Sequence, residues 1–404
     1  MPAHRHQHGR PQNGPDDSAR DDWATSTSVG RLLAAGAGAV ALFAVVGLVV
    51  WWPSGDTLIV SDAFGFTDRE RGLVTEAVVE PCTYDPDTLC DQVSVEVTSG
   101  PDVGATGFLE FSLDDPGLAG ATLRTGDRIY LNDAGPDVPA EIRYSFADFQ
   151  RGRPILALTL VFALVVIAVG RLRGLLALVG LAVSLAVVIG FVLPALLDGS
   201  SPVGVALTGA AVIALSALYL AHGFTLPTTV ALLGTVASLA VTAALGAAFA
   251  SAARLTGLAE EESINLLAFA PDFDFRGLLL AAVIIGSLGV LDDVTVTQVS
   301  AVSELHRADP DAGFHRLYSS SVRIGRDHIA SATNTLVLAY TAAALPLLLI
   351  FTQSRLSLGE VAASEVVAVE IVQTLVGSIG LVLSVPITTA LATWVMTRDS
   401  ARPA

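Results

Sequence analysis

The chain has 404 residues, a mean hydropathy of +0.63 and only 15% charged side chains, well below the usual quarter. A soluble chain of this length would form several domains; this composition excludes that and predicts a polytopic membrane protein with one polar domain. The net charge is −17 and all 22 basic residues are arginine, which excludes a Walker A lysine and a pyridoxal Schiff base, while two cysteines are too few for Cys-ligated clusters.

Residues 1–31 are rich in Pro, Gly, Ser and Asp and are predicted to form a disordered cytoplasmic tail. His4, His6 and His8 alternate in His-Arg-His-Gln-His. Alternating imidazoles can share a metal ion, but on such a tail they make a weak site, and a plain solvated tail is the favoured reading. Residues 32–52 then form an apolar run ending in Trp51-Trp52-Pro53. It is longer than a signal-peptide core, and Trp belongs at a membrane interface, so it is predicted to be an uncleaved anchor.

Residues 53–150 hold 19 acids and five arginines. Alternation predicts strands at Thr57–Ala63, Gly72–Glu80, Gln92–Thr98, Gly107–Ser112, Arg128–Asn132 and Glu141–Phe146. Turn signals such as Asp114-Asp115-Pro116-Gly117 divide them. The expected fold is a small extracytoplasmic all-β barrel or OB-like domain. Cys82 and Cys90 suit a short disulfide-closed loop in an oxidising compartment, the alternative being two buried free thiols. The acidity is read as solubility, or as a means of concentrating cations.

A membrane-crossing helix needs roughly 20 apolar residues. After the anchor, such stretches run at 154–170, 174–197, 202–221, 226–250, 276–296, 329–351 and 371–396. Residues 154–397 are therefore predicted to form a seven-helix bundle, making eight spans in all, followed by a short tail at 398–404. Pro194, Asp198-Gly199-Ser200-Ser201 and Pro202 predict a hairpin turn between the third and fourth spans. Arginines cluster at Arg171 and Arg173, at Arg307–Arg326 and at Arg398. By the positive-inside rule these ends and both termini face the cytoplasm of the cell membrane. Residues 254–275, with Glu260-Glu261-Glu262, form an outer loop that either lies on the membrane or re-enters it. Residues 304–327 are read as the longest cytoplasmic loop, suited to a partner.

The chemistry-bearing residues lie in the last three spans. Asp292 and Asp293 adjoin each other near the inner end of the sixth, which continues as an amphipathic helix to Glu304. Asp293, Thr297, Ser300 and Glu304 fall on one helical face, and Gln298 follows. The seventh opens with Arg326-Asp327-His328, and Ser331, Asn334 and Thr341 share the Asp327 stripe. In the eighth, Pro386 precedes Thr388 and Thr389, and a proline break can line a cavity. An Asp within a span costs about 2.5–3.5 kcal/mol on insertion scales, so such acids need a reason. The functional reading is a polar vestibule opening to the cytoplasm. Asp292, Asp293, Thr297, Gln298, Asp327, His328 and Asn334 would line the path of an ion or small polar solute. The structural reading is that the acids pair with nearby arginines and that the Ser, Thr and Asn residues pack helices. Gly286 and Gly289 read as contacts between helices.

The junction Tyr144–Arg151 and the stretches Gly289–Glu304 and Gly325–Tyr340 resemble the YibE/YibF family of bacterial multi-pass membrane proteins. The absence of lysine resembles a high-GC actinobacterial member. The resemblance implies the anchor, outer segment and seven-span layout with a transport role, and no catalytic residues or cofactor. A non-transporting scaffold, binding an envelope protein through the outer domain, is the competing function. An enzyme is not expected, since no His-Glu-x-x-His is present. Nucleic-acid binding is not expected of an acidic domain. Beyond the bilayer itself, the sequence predicts no oligomeric state.

Overall fold

A computed structural model describes residues 28–55, 69–113, 122–135, 138–139, 143–259, 261–271 and 273–399. His4, His6, His8 and the expected strand Thr57–Ala63 lie outside the described residues. The chain forms two compact units, residues 59–166 and the remainder.

The first unit carries five strands: β1 (Arg69–Pro81), β2 (Leu89–Val97), β3 (Thr106–Ser112), β4 (Arg128–Asp133) and β5 (Tyr144–Phe149). They form one antiparallel sheet in the order β3-β2-β1-β4-β5. Val93, Val95 and Val97 alternate inward with Val74, Leu109, Ile129 and Leu131 to make its core. The register shifts between Val74 and Glu76, and again between Tyr130 and Leu131, and such bulges bend a sheet. The curl brings Phe111 of β3 to 6.1 Å from Phe146 of β5, so the sheet is a half-barrel. Cys82 and Cys90 are joined as a disulfide across the β1–β2 connection, as expected.

Beside the sheet, Arg143 donates through Nε and a terminal nitrogen to both carboxylate oxygens of Asp133, at 2.5 and 2.6 Å. It also reaches Asp102 at 2.8 Å. This fork holds the Asp133 carboxyl below its ordinary value. A lowered folded-state pKa contributes stability above the unfolded value of about 3.9 and loses it as pH falls through the folded value. The half-barrel is therefore expected to loosen in acid, below about pH 4. Asp133→Asn, which removes the charged acceptor, is expected to cost about 1.5 kcal/mol or more at neutral pH. Hydrogen exchange in β4 and β5 measures both. Unchanged protection would dismiss the fork as a stabilising contact.

The second unit is helical. In chain order its helices are α1 (Ser28–Val50), α2 (Gly152–Val187, which begins in the first unit), α3 (Pro202–His222), α4 (Leu226–Ala252) and α5 (Glu261–Phe269). Then follow α6 (Phe275–Ala308), α7 (Phe314–Ala343), α8 (Leu345–Thr352), α9 (Leu358–Ala363) and α10 (Glu365–Asp399). A π-turn at Val188–Val192 and a helical turn at Leu193–Leu197 extend α2. Six helical runs among the described residues are long and apolar enough to cross a membrane, and α7 with α8, bent by 64°, makes a seventh if the pair counts as one span. The run Gly152–Leu197 has 46 residues, roughly 69 Å of helix, more than twice the hydrocarbon thickness. It breaks at Arg171, whose φ is 53°, where the arginines divide the two expected spans.

α3, α4, α6 and α10 pack around a common core, with α1 against α3 and α4 and α7 against α10 and α6. Polar contacts tie the helix ends together. Asp198 accepts from the backbone and hydroxyl of Ser54, joining the end of α1 to the predicted turn before α3. Glu365, opening α10, accepts from Thr256 and Gly257 beyond α4. Ser251 near the end of α4 bonds Arg276 at the start of α6. The ends of α1 and α4 and the starts of α3, α6 and α10 therefore share one end of the bundle, the alternation that the spans require.

Two expectations are corrected. The segment 304–327 is not a long loop: α6 runs to Ala308, and a short turn leads to α7 at Phe314. The polar face that suggested a loop is the solvated side of two helix ends. Pro386 does not break the last span, because α10 continues through it and Thr388 and Thr389 are fully buried. Neighbouring helices cover the weakened turn. Within 254–275 the chain forms the short helix α5.

Candidate functional site

Adjacent residues on a helix point about 100° apart, and that separates the two acids of α6. Asp292 is half-buried on one flank, and its Oδ1 has no hydrogen-bond partner among the described residues. On the same flank, Val296 lines a cavity of about 160 Å³ with His222, Thr225 and Thr228, which Ser300 borders from the Asp293 side. Asp293 is 77% exposed, and its carboxylate lies 4.0 Å from Nε2 of the half-buried His328 on α7. Thr297, Ser300 and Glu304 continue its open stripe in one direction, and Gly289, Gly286 and Ala282 in the other.

Those glycines divide another expectation: Gly286 lies near α7, whereas Gly289 is not a contact between helices of this chain. A methyl group added at Gly289 would meet no atom within 4 Å, and one at Gly286 would meet only the Tyr340 hydroxyl, at 3.4 Å. Both leave the stripe open above Asp293. The close approaches lie elsewhere: Gly234 against Thr388, Gly380 against Thr242, and Gly325 against Val385 and Gln298.

Gln298 takes no part in the open stripe. It is buried, and its amide donates to the Ser321 carbonyl at 2.9 Å and the Thr389 hydroxyl at 2.7 Å. This node joins α6, α7 and α10. One turn earlier on α6, Thr295 bonds Thr235 of α4 at 2.7 Å. Such hydrogen bonds hold helices together where no water competes.

On α7 only Leu317, Ser321 and Gly325 are buried. Asp327, Ser331, Asn334, Leu338 and Thr341 are all exposed, on the side opposite the buried one. The seven expected residues thus fall on separate surfaces. Asp293 approaches His328 in the furrow between α6 and α7 and Thr297 is exposed one turn along the Asp293 stripe, Asp327 and Asn334 face outward from α7, Asp292 lies on a flank, and Gln298 is internal. The open glycines were not legible as site residues, because glycine marks a packed contact and an empty one alike.

A cavity of about 1270 Å³ between α1 and α3 has a different character. Ala34, Gly38, Ala41 and Val45 line it. The polar groups at one end satisfy each other, with Tyr219 and Thr229 hydroxyls 3.1 Å apart. Its walls suit hydrocarbon, and they offer no charge to an ion.

In the half-barrel, Cys82, Cys90 and Glu110 lie close enough to suggest a metal cluster, but the disulfide consumes both thiols. The sequence also matches the profile of the YibE/F-like protein family over residues 158–398, more than half of the chain. The chain belongs to the YibE/F family. The match covers α3 to α10, and so every residue of the furrow, and stops short of the half-barrel. No curated protein and no solved structure matches this YibE/F protein.

Proposed function

We propose that this YibE/F protein is a carrier for an ion or small polar solute, and that the solute moves along the α6–α7 furrow past Asp293. One observation carries the reading: a helix apolar enough to span a membrane presents an open stripe of carboxylate, hydroxyl and bare backbone. Hydrocarbon does not tolerate such a stripe unless protein or water covers it. Asp293 lies 18 residues beyond the start of α6, roughly 27 Å along the axis, close to one membrane boundary.

The bundle supports an orientation as well. If the two halves of α2 cross separately and α7 with α8 counts once, the six apolar runs become eight spans. The end that holds Arg31, Arg173, Arg307 and Arg326 is then cytoplasmic, the furrow opens there, and both termini lie inside. The disulfide fits a half-barrel on the oxidising side.

Reconstituted liposomes test the reading. Flux of a panel of monovalent and divalent cations is expected above that of empty vesicles. Asp293→Asn is expected to weaken the apparent affinity of the carried ion roughly tenfold, the equivalent of about 1.4 kcal/mol. Asp292→Asn should have the smaller effect, since Asp292 lies off the furrow. Full flux in Asp293→Asn would remove the furrow from the path. Absence of any flux, together with one envelope protein repeatedly crosslinked to the half-barrel, would replace the carrier with a scaffold.

A further inference from the structure

We propose that the open face of α6 and α7 is covered by a second copy of this chain, so that the polar furrow is completed only in a two-fold dimer. The proposal rests on the membrane-spanning reading above. Its starting point is the spacing on α7. Asp327, Ser331, Asn334, Leu338 and Thr341 recur at intervals of four and three, and every one is exposed. That is the 3.5-residue repeat of a helix seam that packs against another helix. Within this chain the stripe faces away from everything that α7 touches.

The neighbouring stripe on α6 has the complementary form. Ala282, Gly286 and Gly289 remove side-chain bulk where a facing helix would approach, and small residues at such intervals allow close packing in membranes. Charge agrees with shape. His328 and Asp293 are at one height, because they meet at 4.0 Å. Arg326 lies two residues from His328 on α7 and is exposed, so it sits within about 3 Å of that height. A two-fold axis along the membrane normal preserves heights and brings α6 of each copy towards α7 of the other, an isologous contact. The carboxylate of Asp293 in one copy then faces the level of Arg326 in the other. The hydrocarbon of a bilayer supplies no hydrogen bonds for Asn334 and Ser331.

The test is crosslinking of the full chain in native membranes. Cys82 and Cys90 are tied to each other, so an introduced thiol reports alone. With a short bismaleimide, co-expressed copies carrying Asn334→Cys and Gly286→Cys, or Leu338→Cys and Ala282→Cys, are each expected to give a band at twice the chain mass. Ile189→Cys, exposed on the π-turn that follows α2, is expected to stay monomeric. The unaltered protein in nanodiscs is expected to weigh as two chains. A monomeric mass in nanodiscs overturns the proposal, as does failure of either seam pair or equal crosslinking at Ile189→Cys. These outcomes are separate from flux: a monomer that still carried cations would refute the dimer and leave the carrier standing.

Discussion

Gly325→Val is expected to detach α7 from the bundle and give the largest loss of stability of any single change considered. α7 buries only Leu317, Ser321 and Gly325, so its attachment is narrow. A methyl group added at Gly325 would lie 2.5 Å from Val385 Cγ1 and 2.7 Å from Gln298 Oε1. Neither neighbour can give way cheaply. Val385 is fully buried against Val294 and Leu381, and the Gln298 amide is pinned by Ser321 and Thr389. Overpacking typically costs about 1–3 kcal/mol, and the displaced glutamine would add about 1 kcal/mol for each hydrogen bond lost. Thermal unfolding of purified Gly325→Val in detergent is expected to begin well below the wild-type temperature, with Gly325→Ala between the two. Gly289→Val is the control, because that position is open. It should leave the monomer's unfolding unchanged while obstructing the furrow, and so lower flux. Equal unfolding temperatures for Gly325→Val and Gly289→Val would show that the two glycines do not differ as described.

Removal of the disulfide is expected to destabilise the half-barrel by about 2.5 kcal/mol, the chain-entropy value for so short a loop. Cys82 and Cys90 are eight residues apart and both buried. Their bridge closes the connection between the central strand β1 and its neighbour β2. Cys90 also pairs with Ser112 of β3, so loosening should spread into that edge. The Cys82→Ser, Cys90→Ser double variant, or the wild type under reductant, should exchange amide hydrogen faster throughout β1, β2 and β3. The α4 amides of the same sample serve as reference. Unaltered exchange in the three strands would show that the sheet holds its register without the bridge.

Much of this architecture was legible before any fold was known, because it depends on local chemistry. Apolar runs of membrane length marked the long helices, since a backbone surrounded by hydrocarbon must satisfy its own hydrogen bonds. Alternating valines from Val93 to Val97 marked a strand with one buried face. The Asp198–Pro202 turn was legible for the same reason. Local patterns misled where the neighbours decided. Pro386 reads as a break, yet it lies inside a covered helix. The polar stretch 304–327 reads as a loop, yet it is the exposed side of two helices.

The candidate site divides along the same line. Periodicity alone placed Asp293, Thr297, Ser300 and Glu304 on one face of α6, and Asp327, Ser331 and Asn334 on one face of α7, because a helix sets the angle between its own side chains. It said nothing of what each face meets. That Gln298 turns inward to bind Ser321 and Thr389 while Thr297 beside it lies open depends on where α7 and α10 dock. So does the contrast between Gly325, pressed against Val385, and Gly289, facing nothing. A residue's angle on its helix is a property of the backbone, whereas its environment belongs to the packing of distant segments, and only the tertiary structure holds that.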